Sequence, residues 1–130
     1  MVRIGIVGIG FMGMIHYLAA RKLKGARVTA ICSRDPKKLT GDWRGIRGNF
    51  GPTGQKMDLS KIKKYDQLDT LLEDPDIDLV DVCNPTHLHA ATATAAEPAM
   101  NRRRLTRGVS PFPSCFGVVI DPSRGASRRF

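Results

Sequence analysis

The chain has 130 residues, of which 42% are hydrophobic and 25% charged, with a formal net charge of +9. This size and composition indicate one soluble globular domain and argue against a membrane protein, because no run approaches the roughly 20 apolar residues that cross a bilayer. Glycines interrupt the first apolar run, unlike a signal peptide, so we expect a cytoplasmic protein. Three scattered cysteines without CxxC spacing predict neither a zinc site nor a disulfide framework.

The positive charge is concentrated near the carboxyl end. Residues 1–97 contain 14 Lys and Arg against 11 Asp and Glu, whereas residues 98–130 contain seven Arg, no Lys and one Asp. The basic run Arg102–Arg104 can contact phosphates, but no aromatic or groove-reading element accompanies it. We therefore do not predict a nucleic-acid partner.

A glycine-rich turn follows the first predicted strand. The apolar run Ile4–Val7 leads through a GxGxxG sequence into an apolar helical segment. In a dinucleotide fold, Gly8 would permit the tight turn, Gly10 would let the backbone approach a pyrophosphate, and Gly13 would let the helix pack on the strand. We therefore predict a phosphate-binding corner formed by Gly8, Gly10, Phe11, Met12 and Gly13.

The second predicted strand ends at residues that bear on the choice of cofactor. Ala26–Cys32 is rich in β-branched residues and completes a βαβ unit. Ser33 occupies the position where an Asp or Glu would bind the ribose of NAD, and Arg34 follows it. A hydroxyl beside an arginine favours the 2′-phosphate of NADP, although the adjacent Asp35 can serve the ribose of NAD. A solvated loop without a ligand role is the alternative.

The remaining body alternates helices and strands around one irregular segment. Pro36 favours a short helix, and residues 41–60, with five glycines, predict a long irregular excursion. A helix is expected within residues 65–74, a buried parallel strand over Ile77–Cys83, and another helix over Ala90–Glu97. This order predicts an α/β fold with a doubly wound, mostly parallel Rossmann-type sheet.

Several segments together resemble the amino-terminal domain of the Gfo/Idh/MocA family, the NAD(P)-dependent glucose–fructose oxidoreductases and inositol dehydrogenases. The matching segments are Val2–Gly13 with His16, Ala30–Asp35, Tyr65–Asp78 and Val80–His89. The resemblance covers residues 1–97 only. It implies that Asn84, Pro85 and His89 lie on the nicotinamide side of the cofactor, since this loop follows the carboxyl end of a central strand.

The histidines admit other interpretations. His16 either faces the nucleotide or packs at the helix–sheet junction. His87 and His89 have HxH spacing but no third ligand, so we predict no metal site there. His89 can act as a general acid or base, although a cofactor contact is the simpler role.

The sequence departs from the family pattern after residue 97. Family members continue into a strand with a Glu-Lys-Pro motif and a second domain with the substrate pocket and a catalytic Asp and His; neither is found in the printed sequence. We therefore expect residues 1–97 to form an incomplete, truncated Rossmann domain. Residues 98–130 are expected to be a divergent Arg-rich tail, irregular or disordered, explained by a frameshift or by a genuine alternative carboxyl terminus.

The resemblance implies hydride transfer between a nicotinamide and a hydroxyl-bearing carbon of a sugar or polyol. No catalytic residue is assigned, and the fragment alone is expected to be inactive. The alternative is a non-catalytic dinucleotide-binding sensor or partner module. An unclosed sheet edge would also favour self-association.

Overall fold

The computed structural model describes the backbone of residues 1–107 and the side chains of residues 1–99. Most of the predicted irregular tail, residues 108–130, lies outside the described residues. The described elements, in chain order, are β1 (Val2–Val7), α1 (Phe11–Ala20), β2 (Ala26–Cys32), α2 (Pro36–Leu39), β3 (Lys63–Tyr65), α3 (Leu68–Glu73), β4 (Leu79–Val82) and α4 (Thr86–Arg107). None of the helices among residues 1–107 combines the length and apolar character that crossing a bilayer requires.

The sheet confirms the predicted doubly wound α/β fold. Its strands are all parallel and lie in the order β3-β2-β1-β4 within the described part of the chain. The central strand β1 pairs with β2 on one side and β4 on the other, so that Ile6 is level with Ile31 and Asp81. Because the strands are parallel, the loops that follow β1, β2 and β4 meet at one edge of the sheet, where such folds bind ligands.

Each face of the sheet has its own core. The first core contains α1 and the excursion, and the second contains α3 and α4. The excursion is irregular, as predicted, with a single isolated antiparallel bridge between Asp42 and Lys56, but it is not merely a surface loop. Trp43 is fully buried, packs edge-on against Tyr17 with ring centroids 5.0 Å apart, and donates from Nε1 to the Lys38 carbonyl oxygen at 2.8 Å.

Strand β3 is absent from the sequence prediction. Tyr65, expected in a helix, is the last residue of β3, and α3 begins only at Leu68. This strand has no apolar alternation, since two of its three residues are lysines. It forms by pairing with β2, where Lys63 is level with Ala30 and Tyr65 with Cys32. Pairing with an existing strand, not a local pattern, determines its structure.

Helix α4 is longer than the Ala90–Glu97 segment predicted to be helical. It begins at Thr86 and continues through Pro98 to Arg107. Proline interrupts one backbone hydrogen bond of a helix, but the flanking alanines, leucine and arginines have high helix propensity. Residues 98–107, expected to be irregular, are therefore helical.

The amino-terminal ends of the strands carry a set of paired charges. The Arg3 guanidinium binds both carboxylate oxygens of Asp78, with Nε–Oδ2 and Nη2–Oδ1 distances of 2.8 Å, and its Nη1 lies 2.9 Å from Asp76 Oδ1. The Asp78 side chain is only 7% exposed. This bidentate pair joins the start of β1 to the start of β4.

A second group of polar contacts extends this cluster toward β3. Lys63 Nζ lies 2.9 Å from both Asp74 Oδ2 and Asp76 Oδ2, and the Tyr65 hydroxyl donates to Asp74 Oδ2 at 2.6 Å. Burial by itself raises the pKa of Asp74, but the hydrogen bonds from Tyr65 and Lys63 outweigh it and hold the pKa below its ordinary value. We call Arg3, Lys63, Tyr65, Asp74, Asp76 and Asp78 the amino-edge cluster.

Candidate functional site

A cleft of about 870 Å³ opens at the carboxyl-terminal edge of the sheet. The loops after β1, β2 and β4 form its walls, together with the first turns of α1 and α4. The cleft is lined by every predicted contact residue except Gly13: Gly8, Gly10, Phe11, Met12, Ser33, Arg34, Asn84, Pro85 and His89. The fold therefore brings together residues that are up to 81 positions apart in the sequence.

The three glycines of the turn have different environments. Gly8 has a φ of +93°, and a Cβ there would lie 2.5 Å from the Asn84 backbone nitrogen. A Cβ on Gly13 would fall on the Gly8 carbonyl oxygen. Gly8 and Gly13 are thus required by the protein's own packing, and Gly13 is not among the residues that line the cleft.

Gly10 differs because nothing in the protein excludes a side chain there. No atom lies within 4 Å of the position that its Cβ would occupy. Gly10 is also the residue before α1, and α1 has no side-chain hydrogen bond capping its start. The first N–H groups of a helix lack partners within the helix, so the start of α1 can accept an anion close to its backbone.

The loop after β2 presents charges of both signs. The Ser33 hydroxyl accepts a hydrogen bond from the Asp35 backbone N–H at 3.2 Å, and Asp35 Oδ1 accepts one from the Lys37 N–H at 3.0 Å, which caps α2. Arg34, Asp35 and Lys38 line the cleft beside Ser33. The loop after β2 and the start of α2 therefore offer two cations and one carboxylate to a ligand, and Asp66, which follows β3, adds a second carboxylate to the lining of the cleft.

The loop after β4 is held against α4 by side-chain hydrogen bonds. Asn84 Nδ2 donates to Thr92 Oγ1 at 2.6 Å, and His89 Nε2 lies 2.5 Å from the Asn84 carbonyl oxygen. The Asn84 Oδ1 atom is buried and has no partner in the described part of the protein. His87, the other histidine of this loop, is exposed and does not line the cleft.

A second group of polar side chains lies beside the glycine turn. Of these residues, only His16 was considered as a site residue from the sequence. His16 Nδ1 lies 2.8 Å from Asp81 Oδ2 and 3.2 Å from Cys83 Sγ. His16 therefore packs at the helix–sheet junction, and it also lines the cleft. Burial, followed by the nearby Asp81 carboxylate, raises the pKa of the Cys83 thiol above its ordinary value.

Asp81 and Cys83 could have been found from the alternation of β4. Residues two apart in a strand point to the same face, and Asp81 is a charged residue within an apolar run. What the sequence does not reveal is that α1 covers this face.

Sequence comparison matches residues 2–99 to the family GFO_IDH_MocA, described as an oxidoreductase family with an NAD-binding Rossmann fold. A glycosyl hydrolase family 109 protein of Shewanella amazonensis is 30% identical over 103 residues, which are 73% of this chain and 20% of that protein. D-apiose dehydrogenase of Rhizobium rhizogenes is 29% identical over 111 residues, which are 81% of this chain and 28% of that protein.

A solved structure of scyllo-inositol dehydrogenase from Lactobacillus casei, with bound NAD(H) and scyllo-inositol, is similar with a TM-score of 0.59 and 29% identity. The similarity covers 75% of this chain and 25% of that one. The chain spans 20% to 28% of the length of these three proteins. The match over residues 2–99 confirms the resemblance of residues 1–97, and the chain belongs to the Gfo/Idh/MocA family of oxidoreductases, from which it contains the NAD-binding Rossmann domain.

Proposed function

We propose that the cleft binds a nicotinamide dinucleotide in an extended form across the sheet edge. The pyrophosphate lies over Gly10 at the start of α1, the adenosine ribose lies near Ser33 and Arg34, and the nicotinamide side lies near the loop Asn84–His89. The observation that carries this proposal is Gly10: the space where its Cβ would lie is empty, at the uncapped start of a helix and inside a cleft. Anions bind such helix starts through backbone N–H groups.

The unpaired Asn84 Oδ1 atom supports the same placement at the other end of the cleft. A buried acceptor without a donor costs about 1–3 kcal/mol, and a ligand N–H or O–H group would remove that cost. The amide nitrogen of Asn84 is held by Thr92, which fixes the orientation of the group. Asn84 and the nearby Pro85 and His89 would then position the nicotinamide end of the ligand.

The reaction class follows from the family. The relatives include a D-apiose dehydrogenase and a scyllo-inositol dehydrogenase, so we infer an oxidoreductase that acts on a hydroxyl-bearing carbon of a sugar or polyol. The bound nicotinamide would supply the hydride acceptor or donor. The residues of this chain would hold and orient it, and hydride transfer depends strongly on such orientation.

The decisive experiment replaces Gly10 by alanine. The extra methyl group fits the ligand-free fold but would block the approach of a pyrophosphate, so we expect binding to weaken by about 100-fold, or ~2.7 kcal/mol. The free energy of unfolding should fall by less than about 1 kcal/mol, because alanine is a poorer residue than glycine at the start of a helix. The matched control is Gly45→Ala, because Gly45 also has no atom within 4 Å of its Cβ position but does not line the cleft. Calorimetric titration with NAD and NADP measures both variants. Wild-type affinity in Gly10→Ala, or no binding by the wild-type chain, would refute the proposal.

The charges after β2 address the choice between the two cofactors. We propose that Arg34 and Lys38 accept the 2′-phosphate of NADP, that Asp35 serves the ribose hydroxyls of NAD, and that NADP binds the better of the two. We expect Arg34→Met to weaken NADP binding by about tenfold with little effect on NAD, since it removes a charge-assisted contact. Asp35→Asn should weaken NAD binding instead. Equal effects of each variant on both cofactors would contradict this assignment.

The 130-residue chain is proposed to bind the cofactor without turnover on its own, because its relatives are several times longer. Calorimetry should detect dinucleotide binding, whereas the absorbance of reduced nicotinamide should stay constant with sugars and polyols. A substrate-dependent absorbance change would contradict this expectation. A non-catalytic sensor or partner module would give the same two results, and would also bind the dinucleotide inside any larger assembly without turnover.

We also propose that the chain associates with itself. Strand β4 is at one end of the sheet among the described strands, and an unpaired strand edge is a template for pairing. Sedimentation velocity across a concentration series should show a rising average mass. A constant monomer mass would contradict this proposal.

A further inference from the structure

Three side chains with different ligating atoms converge beside the cleft. His16 Nδ1, an Asp81 carboxylate oxygen and Cys83 Sγ all lie within 4.8 Å of one another. His16 Nδ1 lies 2.8 Å from Asp81 Oδ2 and 3.2 Å from Cys83 Sγ, and Cys83 Sγ lies 3.4 Å from the other carboxylate oxygen, Asp81 Oδ1. An imidazole, a carboxylate and a thiol are thus within direct contact of one another.

The fold holds these three groups in place. Asp81 and Cys83 are two residues apart on β4 and its end, so they point to the same face of the sheet. His16 comes from α1, which packs on that face because Gly13 allows a close approach to the glycine turn. Their convergence therefore depends on a helix and a strand, not on a loop.

The chemistry of the set matches a zinc ion. Zinc binds imidazole nitrogen, carboxylate oxygen and thiolate sulfur at about 2.0–2.3 Å in a tetrahedral arrangement. Those bond lengths place neighbouring ligand atoms about 3.3–3.6 Å apart, which is within a few tenths of an ångström of the distances here for both contacts of Cys83. The contact between His16 Nδ1 and Asp81 Oδ2 would have to lengthen by about 0.5 Å. Because Cys83 contacts the other carboxylate oxygen, Oδ1, the Asp81 carboxylate would also have to rotate so that one oxygen serves as the ligand.

The site also has an open side. His16 and Cys83 line the cleft, and the His16 side chain is 40% exposed whereas that of Asp81 is 16% exposed. Three protein ligands with a fourth position open to a cavity are typical of zinc sites that bind an exchangeable ligand. We propose that His16, Asp81 and Cys83 bind a thiophilic divalent cation, zinc foremost, whose fourth coordination position opens into the cleft.

Cobalt(II) is the probe for this site, because it replaces zinc and its bond to a thiolate absorbs in the near ultraviolet. The full chain carries Cys115→Ser so that the remaining thiols are Cys32 and Cys83. We expect one equivalent of cobalt to give thiolate charge-transfer and tetrahedral visible bands, and one equivalent of zinc to abolish them. Absence of the thiolate band would overturn the proposal.

Substitutions assign the ligands. Cys83→Ser should abolish the thiolate band, whereas Cys32→Ser should retain it because Cys32 is buried on the other face of the sheet. His16→Gln should weaken cobalt binding by more than about tenfold, whereas His87→Gln, at an exposed histidine, should not. Circular dichroism checks that each variant is folded. A band that persists in Cys83→Ser, or wild-type affinity in His16→Gln, would overturn the proposal, and the histidine pair decides it if Cys83→Ser does not fold.

Discussion

The two edges of the same sheet are built in opposite ways. At the amino-terminal edge, the charges are paired with one another: the Arg3 guanidinium donates two hydrogen bonds to Asp78 and the Arg3 backbone N–H donates a third, and Lys63 bridges Asp74 and Asp76. At the carboxyl-terminal edge, polar groups remain open, including the start of α1 and the Asn84 Oδ1 atom. The paired charges of the protein's own packing and the proposed ligand contacts thus lie at opposite ends of the same strands.

Strand β1 connects the two edges of the sheet within six residues. Arg3 lies near its beginning and Gly8 directly after its end. The first residue contributes contacts within the protein, and the second begins a turn that leaves the helix start accessible. Substitutions at the amino-terminal end of the strands should therefore change mainly the free energy of unfolding, and substitutions at the carboxyl-terminal end mainly the affinity for the cofactor.

The largest effect is expected from Arg3→Met. The substitution removes the guanidinium partner of the buried Asp78 carboxylate, which keeps its hydrogen bond from the backbone N–H of residue 3. The free energy of unfolding should therefore fall by about 3 kcal/mol, while the affinity for the dinucleotide stays unchanged. Urea unfolding and calorimetry measure the two quantities. Arg27→Met is the control, since Arg27 is level with Arg3 in the neighbouring strand and is exposed. A loss of affinity equal to the loss of stability would contradict the separation of the two edges.

Asn84→Ala should have a smaller effect, on the affinity for the dinucleotide and not on stability. Loss of the Oδ1 acceptor should weaken dinucleotide binding about tenfold, or ~1.4 kcal/mol. Stability should change by less than about 1 kcal/mol, because the lost bond to Thr92 and the removal of an unpaired acceptor oppose each other. Thr92→Val is the control, as it removes the same hydrogen bond but keeps the acceptor. Unchanged affinity in Asn84→Ala would show that this end of the cleft does not bind the ligand.

The smallest effect concerns pH. Because the pKa of Asp74 is lower in the folded protein than its ordinary value of about 3.9, this carboxylate stabilises the fold above about pH 4. That stability is lost as the pH falls through the folded pKa. Tyr65→Phe should cost about 1 kcal/mol at neutral pH and reduce the decline of stability below pH 4. The measurement is urea unfolding as a function of pH, with Tyr17→Phe as the buried-tyrosine control. An unaltered pH dependence in Tyr65→Phe would contradict the role of this hydroxyl.

The sequence predicts the elements that local patterns determine. Strand β1, the glycine turn and α1 are recognisable because apolar alternation, glycine spacing and helical periodicity occur in succession. Strand β3 is not recognisable from the sequence, because Lys63 and Lys64 give it no strand pattern and the strand depends on pairing with β2. The helix through Pro98 is also missed, since proline is a strong but not absolute signal for a helix end.

The candidate site divides in the same way. The walls of the cleft were predicted from residues at strand ends, whose position in a parallel sheet follows from chain order. The contacts of His16 with Asp81 and Cys83 were not predicted, because they join residues that are 65 and 67 positions apart in the sequence. Such contacts require the relative positions of a helix and a strand, which no local pattern specifies.

Trp43 gives this molecule a built-in optical reporter. It is the only tryptophan in the chain and is completely buried where the excursion meets α1 and α2. Its fluorescence therefore reports on one defined place: a shift of its emission to longer wavelength would record the release of the excursion from the first core. Reduced nicotinamide absorbs in the range where tryptophan emits, so quenching of the same signal by energy transfer can follow the arrival of the reduced dinucleotide without any added label.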